Sequence, residues 1–184
     1  MMPYIKAVSC YRYYREMINK MNNMYIIPAQ TRIGHVHLKV ADLNRSLEFY
    51  RDLLGFELTT MYGKQAAFLS AGGYHHHIGL NTWYSKDAPP ASPHGVGLYH
   101  TAILYPTRKD LAFIYDRLRR AFYPITGASD HGVSEAIYLD DPDGNGVELY
   151  WDRPREEWKY LEDGSINMYT IPLDIEGLLK ELDA

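Results

Sequence analysis

The chain predicts an α+β fold built from two βαβββ modules. Three observations lead there. A short pattern recurs at an offset of 65 residues, matching His35 with His100, Leu38 with Ile103, Tyr50 with Tyr115 and Leu53 with Leu118. Each copy opens on an alternating apolar stretch, followed by a capping residue and apolar positions at helical spacing. Each copy then breaks into short runs set off by glycine and proline.

Residues 1–31 stand outside the repeat. Ile5, Val8, Tyr11, Tyr14 and Ile18 recur every three or four positions, which predicts a helix over 5–22. The alternative is that Met24 is the natural start and the stretch before it an over-extended reading frame. The first module covers 32–84. Its opening stretch, 33–40, predicts a half-buried strand. Asp42 caps a helix that buries Leu43, Leu47, Tyr50 and Leu54 and stops at Gly55. Strands are expected over 56–61, 65–70 and 75–82. A connector over 85–96 carries Lys86, Asp87, Pro89, Pro90 and Pro93 and reads as exposed.

The second module covers 97–153 and repeats the order. Residues 97–104 predict a strand. Thr107 caps a helix, with Asp110 in place of the usual Glu or Gln of a capping box. Leu111, Ile114, Tyr115 and Leu118 form its apolar stripe. Strands are expected near 123–126, 134–140 and 146–151. The tail, 154–184, leaves the pattern. It is charged and turn-rich over 156–164, then predicts a short helix over 175–182 with Leu178, Leu179 and Leu182 on one face. Its expected role is packing, at a subunit contact.

Composition narrows the function classes. The formal net charge is −4 with no basic stripe, which argues against nucleic-acid binding. No apolar run approaches the ~20 residues of a membrane span. Lys6, Arg12, Arg15 and Lys20 lie in an N-terminus without the apolar core of a signal peptide. Cys10 is the only cysteine, so no disulfide can form within the chain, and a reducing, cytoplasmic location is expected. The 17 tyrosines suit pockets and interfaces, having an apolar body and a polar tip.

His35 and His100 occupy matching positions, and Glu148 lies in the last expected strand. Two imidazoles and one carboxylate brought together by the repeat make a metal site with open coordination positions. Such a site suits Fe(II) oxygen chemistry or metal-assisted acid–base chemistry. His37, two residues from His35 and on the same strand face, reads as a pocket residue. The run His75-His76-His77 has a second reading, as a surface tract that picks up metal adventitiously. Tyr138 has one as an ordinary core tyrosine. Gly144 and Gly146 read as turn glycines that let the last strand form.

The two modules and the closing run Asp141-Pro142-Asp143-Gly144-Asn145-Gly146-Val147-Glu148 resemble the vicinal oxygen chelate superfamily over about 33–152. That superfamily includes glyoxalase I, type I extradiol dioxygenases and fosfomycin-resistance proteins. The resemblance implies a curved half-barrel sheet around a metal held by His35, His100 and Glu148. Within the superfamily the chain looks most like the catechol 2,3-dioxygenase kind. That implies Fe(II), with Mn(II) able to substitute, and an aromatic vicinal diol and O2 as substrates. Tyr138, ten residues before Glu148, matches a tyrosine that contacts the diol. His77 matches a histidine that handles protons, with the register between His76 and His77 open by one residue. His131 is expected at the pocket mouth, and Trp83 and Tyr84 at an aromatic-lined entrance. Gly79 stands where glyoxalase I carries a fourth, glutamate ligand. Two-domain extradiol enzymes have two module pairs and this chain has one, so a compact version is expected, as a dimer or higher homo-oligomer. Two further readings are a glyoxalase-like metal-dependent lyase, isomerase or thiol transferase, and a non-catalytic small-molecule binder.

Overall fold

The computed structural model describes residues 25–90, 92 and 94–183. The helix expected over 5–22, Cys10 and Met24 lie outside them. The first module runs β1 (Val36–Lys39), α1 (Leu43–Leu47), a π-helical continuation (Glu48–Leu53), β2 (Glu57–Tyr62), β3 (Ala66–Ser70) and β4 (Ile78–Asn81). Asp42 caps α1 by accepting from the Arg45 amide at 3.0 Å. Leu43, Leu47, Tyr50 and Leu54 are all buried, and Gly55 leaves the helix at φ +89. The sheet order is β1-β4-β3-β2, with β1 parallel to β4 and the other pairs antiparallel.

The second module repeats that topology with β5 (Thr101–Leu104), α2 (Arg108–Arg120), β6 (Gly127–Asp130), β7 (Ser134–Asp140) and β8 (Gly146–Asp152). Its order is β5-β8-β7-β6-β9, where β9 (Ile171–Pro172) belongs to the tail. At the start of α2 the shorter Asp110 side chain takes the Thr107 hydroxyl proton at 2.6 Å, rather than a backbone proton as in a capping box.

Three expectations shift. β4 begins at Ile78, so His75, His76 and His77 form its approach, after Gly72 and Gly73 at φ +63 and +77. The strand expected over 123–126 forms instead at Gly127–Asp130. Phe122 turns the chain at φ 54, and Pro124 has no proton for a ladder. The strand expected over 97–104 begins only at Thr101.

One apolar core spans both modules, joining Leu38, Val40, Tyr50 and Leu69 to Leu111, Leu118, Ile137 and Leu149. The closing run stitches it. Asp141, 3% exposed, accepts from the Asp143 and Asn145 amides and the Asn145 side chain at 2.9 Å each, and from the buried Tyr50 hydroxyl at 3.0 Å. Asp143 accepts from the Ala41 amide at 3.1 Å and pairs with Arg45. Arg117 donates to the carbonyls of Asp52 and Leu53, at the end of the π-helical turn. The modules therefore meet through helices and one turn. β1 and β5 each remain a sheet edge without a partner strand among the described residues. Exposed edges of this kind invite pairing with another chain.

The tail packs on its own second module. Its helix α3 (Ile175–Leu179) buries Leu178, and Arg108 donates to the Gly177 carbonyl at 3.1 Å and to Glu181 at 2.7 Å. Among the described residues no helix is long and apolar enough to cross a membrane.

Candidate metal centre

Strand alternation places Val147 and Leu149 in the core and Glu148 on the opposite face of β8. The register sets Tyr138 directly across from Glu148 on β7 and Ala102 across from it on β5. His100, just before β5, brings its Nε2 to 2.9 Å from Glu148 Oε2. The other carboxylate oxygen, Oε1, accepts the Tyr138 hydroxyl proton at 2.9 Å. His131 Nε2 lies 2.6 Å from that hydroxyl. Burial, then the hydrogen bond to Glu148 and its charge, push the Tyr138 phenol well above its ordinary range. Tyr138 is therefore a proton holder at neutral pH. His100 has this one polar contact; its Nδ1 and the adjacent Thr101 hydroxyl are buried without partners among the described residues.

Gly146 fixes where His100 lies. A Cβ there would stand 2.2 Å from the Tyr99 carbonyl oxygen and 3.1 Å from the His100 Cβ. The requirement is close approach rather than a turn conformation, which refines the sequence reading; Gly144, at φ +81, does serve the turn. Gly146→Ala is expected to push His100 off Glu148 and weaken metal retention by about 10-fold or more, read by metal titration. Unaltered retention would show that His100 tolerates the shift.

The first module holds the other histidines. His35 packs against His76 with ring centroids 4.4 Å apart, and His76 in turn meets Phe68 at 5.0 Å. His37 stands between Phe68 and Trp83, at 5.7 and 5.6 Å. Burial and the neighbouring imidazoles hold His37 and His76 below the ordinary imidazole value, so both favour the neutral form. His77 turns elsewhere: its Nδ1 accepts from the Ala71 amide at 3.3 Å, lies 3.1 Å from the buried Ser70 hydroxyl, and its ring faces Tyr74. The open register thus places His76, and not His77, beside His35. His37 lies over Gly79, where a Cβ would come within 2.9 Å of its ring, so a side chain at 79, such as the fourth ligand of glyoxalase I, would require the His37 ring to move.

The structure therefore brings His100, Glu148, Tyr138 and His131 together on the second sheet, and His35, His37 and His76 on the first. Trp83 joins the first group, while Tyr84 is 91% exposed and lies off it. Among the described residues no three His, Cys, Asp or Glu side chains converge as a metal cage. His100 and Glu148 do fit two adjacent positions of one. Ligand atoms at right angles around an ion at about 2.1 Å stand about 3.0 Å apart, close to the 2.9 Å between Nε2 and Oε2. Sequence reasoning missed the acceptor roles of Asp141 and Asp143, though both lie in the closing run. It also missed Phe68, whose place opposite Gly79 in the ladder carries no sequence signal.

Comparison with known proteins agrees with this topology. The profile of the Glyoxalase/Bleomycin resistance protein/Dioxygenase superfamily matches residues 32–149. Over 158 residues the chain is 43% identical to a catechol-2,3-dioxygenase of Bacillus subtilis (strain 168), covering 86% of this chain and 54% of that protein. The chain thus spans about half the length of that relative. It is 33% identical over 144 residues to biphenyl-2,3-diol 1,2-dioxygenase 3 of Rhodococcus globerulus, covering 76% of this chain and 75% of that protein. The crystal structure of a glyoxalase/dioxygenase from Nostoc punctiforme superimposes with a TM-score of 0.59 at 17% identity, covering 73% of this chain and 99% of that one, a likeness of fold. The chain belongs to the Glyoxalase/Bleomycin resistance protein/Dioxygenase superfamily.

Proposed function

We propose that the protein is a metal-dependent extradiol dioxygenase that opens the ring of a catechol or related aromatic vicinal diol with O2. The observation that carries this reading is the His100–Glu148 pair at 2.9 Å, with the remaining carboxylate oxygen already taken by Tyr138. One nitrogen and one oxygen stand 2.9 Å apart, a spacing that two adjacent ligands of one ion would have, and a carboxylate supplies one of them. Fe(II) is the ion this reading assigns, with Mn(II) able to replace it, because the donor set does not separate the two. When bound, the ion supplies the redox contact between diol and dioxygen. The relatives named as diol dioxygenases support the substrate class.

His35 is the third ligand in this reading, delivered from the first sheet. The strand that follows His35, β1, and the strand that follows His100, β5, are each an edge of their sheet among the described residues, as β2 and β9 are at the far sides. We assign the junction of these edges to two copies of the chain, so that His35 of one copy completes the pair of the other. Leu98, Tyr99 and Leu104, which flank His100 and β5, are 63%, 88% and 53% exposed, apolar area that such a junction would cover. The aromatic group of Phe68, His37 and Trp83, with rings inclined at 68° and 57° to His37, would then line one side of the pocket for the diol ring. Tyr138, kept protonated, would turn its one proton from Glu148 to an oxygen anion and hold it in position. His76 takes the proton-handling role expected of His77, since it stands beside His35.

Anaerobic purification with metal analysis, then addition of catechol and air, tests the reading. Iron at about one per chain and a yellow ring-fission product are expected. Metal without colour would move the weight to a lyase or isomerase reading. Absence of metal would favour a small-molecule binder.

A further inference from the structure

The tail, residues 154–183, lies beyond the family-matched stretch, yet it reaches the centre. β9 pairs with β6 through Ser129↔Pro172 and Asp130↔Ile171, which carries the preceding residues alongside His131. The Tyr169 amide donates to the His131 carbonyl at 3.3 Å. The Tyr169 carbonyl oxygen lies 3.0 Å from His131 Nδ1, and the Thr170 hydroxyl 3.2 Å from it. The Tyr169 ring lies against Gly132, where a Cβ would stand 2.6 Å from it, so the contact needs a residue without a side chain at 132.

A carbonyl oxygen only accepts, so its partner Nδ1 must carry a proton. The Tyr138 hydroxyl has one proton, and the Glu148 carboxylate takes it. The ring orientation that this bond sets leaves His131 Nε2 2.6 Å from the Tyr138 hydroxyl. Each link fixes the next along Tyr169, His131, Tyr138 and Glu148. We infer that the C-terminal tail is a positioning element of the site, in which the Tyr169 carbonyl, with Thr170 beside it, orients the His131 ring so that Nε2 is presented to Tyr138. The chemistry that the orientation serves rests on the dioxygenase reading; the orientation itself does not.

The test uses the full chain, first without metal. In the nitrogen-edited NMR spectrum of the unmodified protein, a His131 Nδ1–H signal, identified by its loss in His131→Gln, is expected to show contacts to Tyr169 and Thr170. An Nδ1 without a proton, or without those contacts, would overturn the inference, whatever the activity proves to be. Tyr169→Gly removes the ring that seats against Gly132 and frees the carbonyl. In that background the Nδ1–H contacts should vanish, and His131→Gln should cost under 2-fold in kcat, against about 10-fold or more in the parent. A full His131→Gln penalty in the Tyr169→Gly chain would show that the tail does not position the ring. A parent that turns over no diol would sink the dioxygenase reading while the NMR contacts still decide the role of the tail.

Discussion

Mixing two inactive variants, His35→Ala and His100→Ala, is expected to restore about one quarter of the parent's metal sites and activity. Each variant alone should retain under about a tenth of the metal. If two copies join β1 to β5, a mixed dimer contains one site lacking both imidazoles and one with both intact. Random pairing makes half the dimers mixed, hence the fraction. The basis is the separation of His35 from the His100–Glu148 pair on two sheets, each ending in a free edge. Co-refolding the variants and titrating iron anaerobically checks it. No recovery on mixing, with a parent that does bind metal, would show that one chain assembles the whole site.

Asp141→Ala is expected to destabilise the protein by about 3–5 kcal/mol, lowering the melting temperature by about 10 °C. Asp141 is 3% exposed and takes protons from four donors, one being the Tyr50 hydroxyl of the other module. Tyr50 is itself fully buried, and burial with the Asp141 charge raises its phenol well above the ordinary value, so it remains a donor. Removing the carboxylate leaves the hydroxyl and two amides in an apolar setting with nothing to bond. Asp141→Asn, which keeps one acceptor oxygen, should lose less. A melting temperature within about 2 °C of the parent for the alanine variant would show that water or a neighbour replaces the carboxylate.

The module repeat and the face of each strand could be read from the sequence because they follow from spacing. Leu38 and Val40 alternate into the core, as do Val147 and Leu149 around Glu148. Asp42 and Thr107 cap the helices at the expected positions, since capping is a local bond. The approach to β4 was less legible. A one-residue shift decides whether His76 or His77 meets His35, and it depends on where Gly72 and Gly73 turn the chain. The Tyr169 contact was not legible at all, because a backbone carbonyl is common to every residue and only the β9 pairing aims this one at His131.

The ring of His37 resting on Gly79 makes the two modules unequal in charge. Glu148 and Gly79 are counterparts on their sheets, β8 beside β5 and β4 beside β1. A carboxylate in place of Gly79 would have to displace the imidazole above it, and with glycine there each chain has one acid at this pair of positions however many copies assemble. On the dioxygenase reading, a divalent ion held there would keep one uncompensated positive charge, which a singly ionised diol would neutralise. Duplication copied the scaffold without copying the charge, and that asymmetry would make the site prefer a monoanion over a neutral or doubly charged guest.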